Sequence, residues 1–148
     1  MAHVLRNQPK LTLEGARAVM AAAQKRASEI KCPMNIAIVD DGGHLLLFER
    51  MDGAKLSSIR IAQVKAQSAA LRRAATRPSV ISPAGGDQPN VVLAVSLAVA
   101  SPDEQTPIRG GVPLMADGQV IGAIGASAGS EDQDVDVAQA GAAALETT

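Results

Sequence analysis

His44 is the residue whose type and setting offer the most chemistry. It follows Gly42-Gly43 at the head of a strand pattern, where a side chain can be fixed and still reachable. Imidazole titrates near neutral pH, so His44 can act as a general acid/base or as a ligand to haem iron. The plainer reading is a hairpin-edge residue hydrogen-bonded to backbone. One histidine cannot close a zinc site, whereas haem needs only one or two axial ligands. His3, the only other histidine, falls in a polar N-terminal tail. Arg50, in the run Phe48-Glu49-Arg50-Met51-Asp52-Gly53, can grip a carboxylate bidentately or pair with the acids beside it. Lys65 stands among alanines and can either reach into a pocket or run along its helix to water.

Two glycine-rich stretches add backbone chemistry. Gly110-Gly111 precedes a strand, where its amides can approach a ligand or simply serve a bend. GAIGASAGS, residues 122–130, feeds a helix N-terminus, and a ligand carboxylate could rest on amides near Ser127 and Ser130. It is neither GxGxxG nor GxxxxGK[ST] and follows a hairpin strand, which excludes dinucleotide and P-loop readings.

The elements that must position these residues read as follows. Residues 12–30 carry apolar side chains at helical spacing after the capping residue Thr12, and Cys32-Pro33 ends the helix. Residues 35–40 and 44–49 form a hairpin around Asp41-Gly42-Gly43. Residues 56–75 form a second helix, opened by Ser57 or Ser58 and stopped by Pro78. Residues 79–90 read as loop. VVLAVSLAVA, residues 91–100, is apolar on every side, and periodicity leaves strand and helix open. Residues 112–116 and 119–125 flank Asp117-Gly118, a hairpin turn, and Ser130 with Gln133 makes a capping box for the last helix. This order predicts an α+β fold, an antiparallel sheet of about five strands flanked by helices, in a single domain over 1–148 with residues 1–10 as an arm.

Composition narrows the function classes. Fourteen basic against fifteen acidic residues give a net charge of −1, no field for nucleic acid or an anionic membrane. The basic cluster Arg72, Arg73 and Arg77 has no aromatic stacking partner. No apolar run approaches the roughly 20 residues of a membrane span, and no secretory signal opens the chain, so the cytoplasm is the expected compartment. One cysteine excludes an internal disulfide. With 28 alanines, one Phe and no Trp or Tyr, the core buries little area per residue, and oligomerisation is expected to supply part of the stability.

The blocks MNIAIVDDGGHLLLFERMDGAKLSSIRIAQVKA, GGVPLMADGQVIGAIGASAGS and EDQDVDVAQAGAAAL resemble the GlcG/HbpS family, also known as DUF336. The resemblance covers nearly the whole chain, with residues 79–109 the poorest match. It implies a profilin-like fold and a compact homo-oligomer, often an octamer. Several family members bind haem, and others are encoded beside catabolic genes. Against that background this chain has a single Phe, no Tyr and few candidate axial ligands, and Glu14, Glu29, Glu49, Glu104, Glu131 and Glu146 are scattered rather than paired.

Three functions stay open at this point. The first is an oligomeric haem-, tetrapyrrole- or small-ligand-binding protein, with His44 as the metal ligand if haem is bound and Arg50, Lys65, Gly110, Gly111, Ser127 and Ser130 as ligand contacts. The second is a cofactor-independent lyase or isomerase for a small carboxylated catabolite, with His44 as acid/base and Arg50 or Lys65 holding the carboxylate. The third is a structural or regulatory partner without a ligand.

Overall fold

The computed structural model describes residues 3–78 and 88–146. Most of the segment read as a loop over 79–90 lies outside the described residues. Helix α1 spans Leu13–Glu29, and the Thr12 side chain accepts the Gly15 amide, as its capping role requires. Strands β1 (Asn35–Asp40) and β2 (Leu45–Arg50) form the first hairpin. A short 3₁₀ turn, Leu56–Ser58, leads into α2 (Ile59–Arg72). Neither expected serine cap forms there: the Ser58 side chain makes no capping bond, because the 3₁₀ turn already occupies the helix entrance.

Residues 91–100 form helix α3, Val91–Ala100, which resolves the ambiguity of that apolar run. Ten residues make nearly three helical turns, and the Asn90 side chain caps them by accepting the Leu93 amide. Strands β3 (Gly111–Ala116) and β4 (Gln119–Ser127) flank the expected turn, with φ of 51° at Asp117 and 73° at Gly118. Both values are left-handed, which matches the twist of a two-residue hairpin. Helix α4, Glu131–Ala143, carries the full capping box between Ser130 and Gln133.

The described residues hold four strands rather than about five, in the order β2-β1-β4-β3, all antiparallel. The α+β class stands. Alternation along the central strands sends Ile36, Ile38, Ile124 and Ala126 to one face, against α1 and α4. Ala37, Val39 and Ala123 face the alanine stripe of α2, with Phe48 at the margin. Small residues bring α2 very close: a Cβ at Gly125 would collide with the Ala62 carbonyl. No helix among the described residues is long and apolar enough to cross a membrane.

Candidate functional site

The sheet divides the sequence-predicted residues into two groups that do not meet. His44 sits at the β1–β2 turn and Arg50 at the far end of β2, opposite Asn35. Six steps of strand separate them, about 20 Å. Both are exposed; the His44 side chain retains 83% of its accessible surface. The turn is fixed beneath it. Asp40 Oδ1 accepts the amides of Gly42 and His44 at 2.9 Å each, and lies 3.3 Å from His44 Nδ1. Gly43 has φ 82°, and a Cβ there would stand 3.4 Å from Leu71 Cγ of α2. The backbone is therefore held while the imidazole faces solvent.

Lys65 has the opposite setting. Projecting from α2, it is 1% exposed, and its Nζ donates to Asp134 Oδ2 at 2.7 Å, to the Ala126 carbonyl at 3.1 Å and toward Ser127 Oγ at 3.4 Å. Asp134 belongs to α4, which packs on the other face of the sheet, so the ammonium passes the end of β4 to reach it. Gly110 and Gly111 make the passage. A Cβ on Gly110, whose φ is 122°, would stand 2.9 Å from Lys65 Nζ and 2.8 Å from the Ala126 carbonyl oxygen. One on Gly111 would collide with the Lys65 carbonyl.

The Gly111 amide and the amides around Ser130 are already engaged. The Gly111 amide donates to Thr76 Oγ1 at 2.9 Å, and its carbonyl accepts the Thr76 amide. Asp134 Oδ1 accepts the amides of Ala128 and Gly129, Ser130 Oγ accepts that of Gln133, and Gln133 Oε1 accepts that of Ser130. The carboxylate expected on this glycine-rich turn is the chain's own Asp134. Asp134 and Thr76 were missed from sequence. The available signal was an acid four residues beyond the cap, which also suits the helix dipole.

Chemically, the Lys65 cluster is a satisfied buried ion pair joining the two faces of the sheet, closed to a ligand. His44 is an available donor without walls. The apolar or aromatic enclosure a haem requires is not built around it by one protomer. Cys32 is half-buried, and burial, then the field of Asp134, pushes its thiol above its ordinary pKa, away from the thiolate a soft metal wants. Among the described residues no group of three or more His, Cys, Asp or Glu side chains is placed to hold a metal ion.

A family model described as "Haem degrading protein HbpS-like" matches residues 11–143. The chain belongs to the HbpS-like family. It is 39% identical over 117 residues to protein GlcG of Escherichia coli K12, covering 79% of this chain and 81% of GlcG. Among solved structures, Klebsiella pneumoniae protein ORFY, of family DUF336, superposes with a TM-score of 0.82 and 31% identity over 99% of both chains. A PduOC:haem complex matches with a TM-score of 0.77 and 29% identity, over 92% of this chain and 95% of that one. HbpS-like membership accounts for the α+β fold described above.

Proposed function

We propose that this HbpS-like protein is a small homo-oligomeric binding protein for haem or a related tetrapyrrole, with His44 as its iron ligand. The observation that carries the reading is the likeness, across nine-tenths of the chain, to a domain whose structure contains haem. Within this chain, His44 is the imidazole held on a rigid hairpin with its ring uncommitted to the core.

One protomer alone does not fit a haem, so the enclosure must come from a second copy. Helix α3 supports assembly independently. It carries no charged residue and buries none of its ten; Val92 is 79% and Val99 74% exposed. A helix apolar all round is stable only when covered, and a second copy of the same face covers it symmetrically. We place the protein in the cytoplasm, supported by its single half-buried cysteine.

The lyase or isomerase alternative finds no support in this geometry. His44, Arg50 and Lys65 occupy a turn, a strand end and a closed interior, so within one protomer they do not converge on one small substrate.

Haem titration tests the reading. The readout is the Soret band, which lies well outside the region where protein side chains absorb. A saturable shift that is lost in His44→Ala, with melting and sedimentation unchanged, is the expected result. No saturable shift at micromolar haem overturns it. For the assembly, Val92→Glu with Val99→Glu should dissociate the oligomer into folded protomers. A wild-type protein that sediments as a stable monomer ends that part of the proposal.

A further inference from the structure

A cleft of about 600 Å³, lined by none of the candidate site residues, lies between the start of α1, the β3–β4 hairpin and the end of α4. Its volume falls within the range of small-molecule sites. Leu11, Ala18, Met115, Ala116, Ile121 and Leu145 form its walls. Gly15 keeps it open: a Cβ there would stand 3.1 Å from Leu11 Cδ1 and 3.8 Å from Leu145 Cδ2, inside the apolar space.

The rim has one sign. Glu14, Asp117 and Glu146 border the cleft, and none of the three has an ion-pair partner among the described residues. Lys10 is the one cation of the lining, and Asp41 holds its ammonium at 2.8 Å. The last turn of α4 has no basic residue, so the negative end of that helix dipole reinforces the carboxylates. Glu14 in turn offsets the positive end of α1.

We propose that this cleft binds a small amphiphile with a hydrocarbon body and a cationic head, of the alkylammonium class. The body fills the space between Leu11, Met115 and Leu145, and the head stays at the wet rim among the three carboxylates, where it need not be desolvated. An anionic amphiphile meets the wrong sign. Haem, with two propionates, does too, so the inference goes beyond the haem reading and does not depend on it.

Octylammonium, octan-1-ol and octanoate share one hydrocarbon body and differ in head charge. Titrated below the micellar concentrations of the two charged species and the solubility limit of octanol, into the full chain carrying ¹³C-methyl methionine, they can be ranked by the Met115 methyl resonance, with buried Met34 as internal control. Octylammonium should shift Met115 saturably and bind tightest, octanol more weakly and octanoate least. Glu14→Gln with Glu146→Gln should weaken octylammonium about tenfold, as expected for losing two unit charges near the head in water, and leave octanol within about twofold. Ala18→Phe, at an exposed helical position, should fill the cleft and abolish binding of all three while melting stays close to wild type. Octanoate binding as well as octylammonium would overturn the charge assignment. A cleft covered by another copy would give no saturable Met115 shift with any of the three, and that result, or wild-type binding by Ala18→Phe, overturns the site itself.

Discussion

Lys65 and His44 both stand beside glycine pairs, and the glycines serve opposite ends. At Gly110-Gly111 the missing side chains admit an ammonium into the interior, where Asp134, the Ala126 carbonyl and Ser127 receive it. At Gly42-Gly43 they let the backbone turn tightly under Asp40, and the imidazole is left outside. A buried charge costs several kcal/mol unless every partner is in place, so the interior cluster is committed to structure. An exposed imidazole over a rigid turn costs almost nothing to leave free. Availability for a ligand follows from that difference.

Breaking the interior cluster should give the largest effect. Asp134→Ala removes the one anion that, among the described residues, faces a buried ammonium, and should cost about 3–5 kcal/mol in denaturant unfolding. Lys65→Met should cost much less, since the stem is retained and Asp134 keeps its bonds from the Ala128 and Gly129 amides. A loss below about 1 kcal/mol for Asp134→Ala would mean that water reaches Lys65 and that the cluster is not closed. Next, Gly111→Ala should cost about 2–3 kcal/mol by forcing apart α2 and β3, read as a lower melting temperature.

Gly118→Val offers a control that separates backbone strain from crowding. Nothing lies within 4 Å of a Cβ there, but φ is 73°, so the expected cost is about 1 kcal/mol, all of it conformational. His44→Ala should then fall under about 0.5 kcal/mol, because the side chain offers only a solvated contact to Asp40. The hydrogen bond from the residue 44 amide to Asp40 is kept by any residue but proline. A larger loss on melting would return His44 to the structural role.

The features legible in sequence were those with local causes. Thr12, Ser130 with Gln133, and Asp117-Gly118 each act within four residues, and each appears where read. The run 91–100 stayed ambiguous because an element apolar on every side has no period to detect. Asp134 escaped the sequence reading because its partner is 69 positions away, and no spacing rule links α4 to α2. The same limit explains why His44, Arg50 and Lys65 could be grouped on paper. Only strand register shows Arg50 opposite Asn35, at the end of β2 away from the turn that carries His44.

The smallest effect belongs to the His44 side of the comparison, in the pair that ties residue 10 to the same turn. Lys10 Nζ donates to both oxygens of Asp41 at 2.8 and 2.9 Å, and that bond holds the Asp41 carboxyl below its ordinary value of 3.8. A carboxyl easier to protonate in the unfolded chain than in the folded one stabilises the fold in full above pH 3.8. That contribution is lost as pH falls through the lower, folded value. Lys10 is 62% and Asp41 24% exposed, so the pair contributes well under about 1 kcal/mol and salt weakens it further. Lys10→Gln should therefore be slightly less stable than wild type at about pH 6 in low salt, and the gap should narrow as pH falls below 3.8 or in about 1 M NaCl. A gap unchanged by either treatment would assign the effect of Lys10 to packing, and the turn beneath His44 would owe nothing to charge.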